Sequence, residues 1–154
     1  MIGIIRTNSD NPDFKKLTDK LDDELCLIYN TKKEDFEEYN RIVDLDTVVL
    51  AYEDKKVTGC GCFKTLNDAT IELKRMYVEP EFRGRGIASA LVAEIEKWAM
   101  EKGYHSAFLE TGNGQPQAIA LYRKLGYSQV TDLMQYAVSD YSVCLQKELK
   151  IKTA

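Results

Sequence analysis

The sequence predicts a mixed α/β fold, and three observations carry that reading. Apolar, β-branched runs recur mid-chain at residues 47–52, 57–64 and 71–78, parted only by short polar turns. Apolar residues at three- and four-residue spacing mark amphipathic helices on both sides of that block. A glycine-rich turn, Arg83-Gly84-Arg85-Gly86, leads straight from the last of these strands into the longest helical pattern.

Residues 1–7 suit a first strand. Phe14, Leu17, Leu21, Leu25 and Ile28 then repeat with helical spacing, and Phe36, Tyr39 and Val43 suggest a second, shorter helix. Glu53-Asp54-Lys55-Lys56 and Asn67-Asp68 are the turns of a three-stranded antiparallel meander, because so short a connection can only return the chain alongside itself. Beyond the glycine turn, Ile87, Leu91, Ile95, Trp98 and Ala99 share one helix face, with Gly103 as the cap. Residues 106–110 read as a short buried strand. Pro116 fits the first turn of a last helix, with Ala118, Leu121, Tyr122 and Leu125 inward and Gly126 closing it. Residues 127–136 and 142–149 end the chain as a pair of strands. The expected order is βααβββαβαββ. No linker, repeat or low-complexity segment interrupts it, so residues 1–150 are expected to form one domain with a short tail at 151–154.

The chain of 154 residues is long enough to bury a full core. Its net charge of −4 and pI near 5.1 argue against general nucleic-acid binding, which shows a basic footprint. No apolar run approaches the ~18 residues of a membrane span, and the N-terminus lacks the apolar core and cleavage site of a signal peptide, so a cytoplasmic location is expected. The cysteines Cys26, Cys60, Cys62 and Cys144 form no metal signature and read as reduced thiols packed as small hydrophobes. Acidic residues gather early, at Asp19, Asp22, Asp23 and Glu24 and again at Glu34, Asp35, Glu37 and Glu38. A solvated helix face explains them; a mouth that attracts a cationic amine is the functional reading.

The glycine turn carries the chemistry. Its backbone can take φ values closed to other residues and can approach a ligand closely. The helix that follows adds free N–H groups and the positive end of its dipole, which together suit a phosphate or pyrophosphate. Arg83 and Arg85 would add two positive charges at the mouth. No GxxxxGK[ST] is present, and GxGxxG would need glycine where Ser89 stands.

The pattern Arg83-x-x-Gly86-x-Ala88 resembles the pyrophosphate-binding turn of the GNAT superfamily of acetyl-CoA-dependent N-acetyltransferases. A second run, Gln115-Pro116-Gln117-Ala118-Ile119-Ala120-Leu121-Tyr122-Arg123-Lys124-Leu125-Gly126-Tyr127, is similar to that family's Asn-x-x-Ala-x-x-Leu-Tyr-x-x-x-Gly-Phe. The resemblance covers most of the chain and implies the GNAT fold: a central, mostly antiparallel sheet with a splayed parallel pair of strands, flanked by about four helices. It implies acetyl-CoA as acetyl donor and a small-molecule or peptide amine as acceptor, with no metal, nucleic acid or membrane. Family members are often dimers, and a homodimer is in keeping with that.

By the same resemblance, backbone N–H groups of Arg83, Gly84, Arg85, Gly86, Ile87 and Ala88 would hold the pyrophosphate. The edge at Met76, Tyr77 and Val78 would pair with the pantetheine arm, and a backbone N–H there would face the oxyanion. Tyr122 matches the family's tyrosine, the proton donor to the departing thiolate, and a core-packed tyrosine is the plainer reading. Gln115 stands where the family has asparagine. Glu72 and Glu110, on neighbouring strands, are candidate bases for the amine; either also reads as a structural carboxylate. His105, the lone histidine, begins a strand with no base geometry visible. One of Lys74 and Arg75 is expected on a solvated strand face. Two rival readings are a CoA-binding module without catalysis and a nucleotide-binding protein using the same turn.

Overall fold

The computed structural model describes residues 2–30, 44–130 and 142–149. Seven strands and three α-helices lie among the described residues: β1 (Ile2–Thr7), α1 (Pro12–Tyr29), β2 (Val48–Glu53), β3 (Lys56–Thr65), β4 (Thr70–Val78), α2 (Ile87–Glu101), β5 (Ser106–Gly112), α3 (Pro116–Lys124), β6 (Ser128–Gln129) and β7 (Ser142–Glu148). The mixed α/β class expected from the sequence stands. Of the expected helices, that at Phe36, Tyr39 and Val43 falls outside the described residues, so three rather than about four are seen. The chain divides into two compact units, Met1–Lys64 with Lys74–Ile95, and Thr65–Leu73 with Glu96–Ala154. Strand β4 and helix α2 each contribute to both.

In the first unit β1 pairs antiparallel with β2, and β2 antiparallel with β3. Helix α1 begins where the Asn11 side chain accepts from the Asp13 N–H at 2.9 Å, with Pro12 in the first turn, a cap that satisfies a donor the helix itself cannot. Phe14, Leu17 and Leu21 bury their stripe against Val48, Leu50, Cys60, Cys62 and Tyr77. The stripe then runs out: Ile28 is 43% exposed and its neighbour Leu27 85%. Strand β3 serves two faces. Cys60 and Cys62 join the α1 core, while a Cβ on Gly59 would lie 3.0 Å from Leu91 Cδ1 and 3.1 Å from Ile87 Cγ2, so glycine there lets α2 pack closely. The thiols are buried and form no disulfide, and burial pushes the Cys60 thiol far up, which keeps it an inert hydrophobe.

In the second unit a turn at Asn67 returns the chain into β4, with Leu66 N–H donating to Thr70 O at 2.9 Å. Strands β4 and β5 are the parallel pair, in register from Thr70–Ser106 to Glu72–Phe108, and each runs on beyond that ladder, β4 to Val78 and β5 to Gly112. Strand β7 pairs antiparallel with β5 and with β6. Helix α3 ends as the sequence predicts: Gly126, at φ 101°, donates to Arg123 O, and Tyr127 N–H donates back to Tyr122 O at 2.9 Å. Only Ser128–Gln129 of the strand expected over residues 127–136 is seen as β6; residues 131–136 lie outside the described segments.

Candidate active site

The turn after β4 is built in steps. Glu79 N–H donates to Thr58 O at 2.8 Å, and Pro80–Phe82 form one 3₁₀ turn. Arg83 is extended, then Gly84 and Gly86 take φ of 82° and 81°, conformations that a side chain disfavours. A Cβ on either glycine would meet nothing within 4 Å, so backbone conformation and not crowding selects glycine, and the space beside the turn is open. Helix α2 begins at once: its first bond runs from Ala90 N–H to Gly86 O at 3.0 Å, leaving the N–H groups of Ile87, Ala88 and Ser89 ahead of the intrahelical ladder.

The two arginines expected at the mouth are both paired. Arg83 donates through Nε to Val78 O at 2.9 Å and through Nη2 to Glu24 at 2.6 Å, and its guanidinium lies 5.5 Å from the Tyr77 ring centre. Arg85 reaches Glu53 at 3.4 Å. Both pairs are solvent-exposed, a setting in which ion pairs contribute only about 0–1 kcal/mol. Behind the turn sits a carboxylate that the sequence reading passed over. Glu79 is buried, accepts from Lys20 Nζ at 2.6 Å and lies 3.4 Å from the Tyr77 hydroxyl. Burial and the Glu79 carboxylate both push the Tyr77 phenol up.

The early acidic residues are likewise engaged. Asp22 accepts from Arg75 at 2.6 Å, and Glu24 holds Arg83. Two of the early acidic residues thus serve as counter-ions of named arginines. Of Lys74 and Arg75, one of which was expected on a solvated strand face, Arg75 has a side chain only 5% exposed and Lys74 is half-buried.

In the second unit the parallel register places Glu72 beside Phe108, two residues from Glu110 on the same face. Glu110 lies opposite Cys144 and accepts from the Ser142 hydroxyl. Burial first, and then the carboxylates of Glu110 and Glu72, push the Cys144 thiol up to about 11. The structure therefore brings the two candidate bases to one patch. Tyr122 is buried, with its ring edge-on to Tyr127 at 5.8 Å and 71°. Tyr127 donates to Glu96 at 2.9 Å, and Lys147, which leaves β7 on the face opposite Cys144, lies over the Tyr127 ring. Among the described residues no group accepts from or donates to the Tyr122 hydroxyl, and burial pushes that phenol well above its ordinary value. Gln115 occupies the N-cap of α3 without a side-chain capping bond, and the exposed His105 uses its backbone, not its ring, to join Ala69 and Leu149. Among the described residues no group of histidine, cysteine and carboxylate side chains could hold a metal, and no helix is long and apolar enough to cross a membrane.

The family model described as the acetyltransferase (GNAT) family matches residues 14–127. An IAA acetyltransferase of Azospirillum brasilense is 33% identical over 120 residues, 73% of this chain and 78% of that protein. N-acetyltransferase 8 of Homo sapiens is 34% identical over 85 residues, but the match spans only 37% of its length. Among solved structures, a Klebsiella pneumoniae protein assigned as an acyl-CoA N-acyltransferase superposes with TM-score 0.80 at 26% identity, covering 97% of this chain and 99% of that one. An Elizabethkingia anophelis acetyltransferase with acetyl-CoA bound gives TM-score 0.67 at 20% identity, over 96% and 98% of the two chains.

Proposed function

The chain belongs to the acetyltransferase (GNAT) family, and on that premise we propose that it transfers the acetyl group of acetyl-CoA to a primary amine by direct attack in a ternary complex. The observation that carries this reading is the open turn at Gly84 and Gly86, whose positive φ values and unused helix-start N–H groups suit a pyrophosphate. A structural neighbour bound to acetyl-CoA supports the same donor.

Acetyl-CoA supplies an activated thioester; everything else is asked of the chain. The amides of Gly84 to Ala88 hold the pyrophosphate, with Gln115 as a further contact; the Arg83 N–H, expected among them, donates instead to Pro80 O at 3.3 Å. The edge at Met76, Tyr77 and Val78 takes the pantetheine arm, and one N–H there receives the charge that develops on the carbonyl oxygen. Glu72 or Glu110, gathered on one sheet face, accepts the proton that the amine must lose to attack. Tyr122 gives its proton to the sulfur as the C–S bond breaks and the C–N bond forms. A phenol kept protonated by burial holds that proton at neutral pH. The free cysteines fit the reducing, cytoplasmic setting included in this reading.

Gly86→Asp tests it. A side chain at φ 81° is strained and the carboxylate repels phosphate, so calorimetry should show acetyl-CoA affinity reduced at least about tenfold, roughly 1.4 kcal/mol. Unchanged affinity in the folded variant would sink the cofactor assignment. Acetyl-CoA binding by wild type with no thiol release across a panel of amines would instead favour a binding module without catalysis.

A further inference from the structure

Arg75 sits within strand β4 at φ 58°, in the left-handed region, although it is not glycine. Such a conformation is unfavourable for a residue with a Cβ and persists only where its surroundings over-determine it. The surroundings do. The Arg75 guanidinium donates to Thr18 O at 2.9 Å and to Asp22 Oδ1 at 2.6 Å, both on α1, and its side chain is only 5% exposed. On the other strand, Cys60 Sγ donates to Arg75 O at 3.4 Å and Cys62 Sγ to Lys74 O at 3.3 Å. A side-chain clamp from α1 and two thiols from β3, one on each of the two peptide groups that flank Arg75, thus converge on one irregular residue. The residues that follow it immediately are Met76, Tyr77 and Val78.

We propose that Arg75 is a positioning residue: tethered to Thr18 and Asp22, it holds β4 in a strained turn that sets the direction of the Met76–Val78 peptide groups. Regular alternation along a strand would be interrupted at such a point, so the groups beyond it are re-aimed relative to those before it. Helix α1 is thereby coupled to the strand edge through one ion pair that is buried on the arginine side. This inference rests on the acetyl-CoA reading above for what that edge is aimed at, and on the geometry alone for the aiming.

Two variants test it. Arg75→Gly removes the clamp yet tolerates φ 58°; Asp22→Asn keeps α1 and the arginine but removes the counter-charge. Hydrogen exchange of the peptide covering residues 74–79 and acetyl-CoA affinity by calorimetry are read in both, with Tm as the control for global loss. Exchange in that peptide should rise about tenfold or more and acetyl-CoA affinity fall several-fold, by more than any change in Tm explains, with Asp22→Asn the milder of the two. Rescue by Arg75→Lys of part of the affinity is expected, since one donor to Asp22 is restored. Unchanged exchange in both variants would overturn the proposal, as would raised exchange with acetyl-CoA affinity intact. A wild-type chain that binds no acetyl-CoA would overturn the functional reading instead, while the exchange data would still decide whether Arg75 holds the strand.

Discussion

Tyr122 combines a buried ring with a hydroxyl that has no hydrogen-bond partner among the described residues. Leaving such a group unsatisfied costs about 1–3 kcal/mol, and packing alone gives no reason to carry the oxygen. Tyr122→Phe should therefore leave Tm unchanged or raise it, leave acetyl-CoA affinity intact, and lower turnover about a hundredfold as general acid catalysis is lost. Wild-type turnover in that variant would assign the ring to the core and nothing more. The position of Tyr122 was legible from its motif, Leu-Tyr-x-x-x-Gly. The missing partner was not, because satisfaction of a hydroxyl depends on what the fold brings within about 3 Å of it.

At the scale of elements, the close approach of α2 to β3 depends on the absence of side chains. A Cβ on Gly59 would stand 3.0 Å from Leu91 Cδ1, 3.1 Å from Ile87 Cγ2 and 3.1 Å from Tyr77 O. Two of these are branched core side chains on the helix and one is backbone, so the helix must shift to admit even a methyl group. Gly59→Ala should destabilise the chain by about 1–3 kcal/mol. For a chain of this size that lowers Tm by roughly 2–4 °C per kcal/mol. Gly3→Ala, where a Cβ meets nothing within 4 Å, is the matched control and should leave Tm where it was. Equal Tm values for both variants would show that α2 is free to move away. Element order was readable from periodicity for the same reason that this contact was not: spacing along the chain reports which face is apolar, and the partner of that face lies elsewhere in the sequence. Cys60-Gly61-Cys62 shows the difference: its spacing carries no metal signature, but it gave no sign that a Cβ on Gly61 would meet Met76 and Ile95 while the two cysteines join the α1 core.

The whole molecule keeps several ionisable groups neutral inside the fold. Tyr52, donating to Asp13 at 2.6 Å, is pushed up to about 12 by burial and then by that carboxylate, and Cys144 reaches about 11. Tyr122 and Tyr127 are raised further, chiefly by burial. Each folded value exceeds its ordinary one, so the unfolded chain releases these protons first as pH rises. The stability they contribute is present below the ordinary values near 9 to 10 and is lost as pH climbs through the folded ones. Calorimetric Tm should therefore be level in neutral solution and fall steadily from about pH 9 to 12, with Tyr52→Phe making the decline shallower. A Tm that holds to pH 12 would contradict it.

What the sequence determined by itself is what neighbouring residues can encode. The glycine turn at Gly84 and Gly86, the helix start at Ile87, the caps at Gly103 and Gly126 and the order of the described elements all follow from local conformational limits and from periodicity. The fate of charge was decided only by tertiary structure. Asp22 and Arg75 are 53 positions apart, and Glu24 and Arg83 are 59 apart. Whether an arginine on a strand faces water or a carboxylate depends on the helix laid across it, and no spacing rule reports a partner so distant. The left-handed φ at Arg75 belongs to the same class, because a non-glycine residue adopts it only when contacts from both α1 and β3 outweigh its own preference.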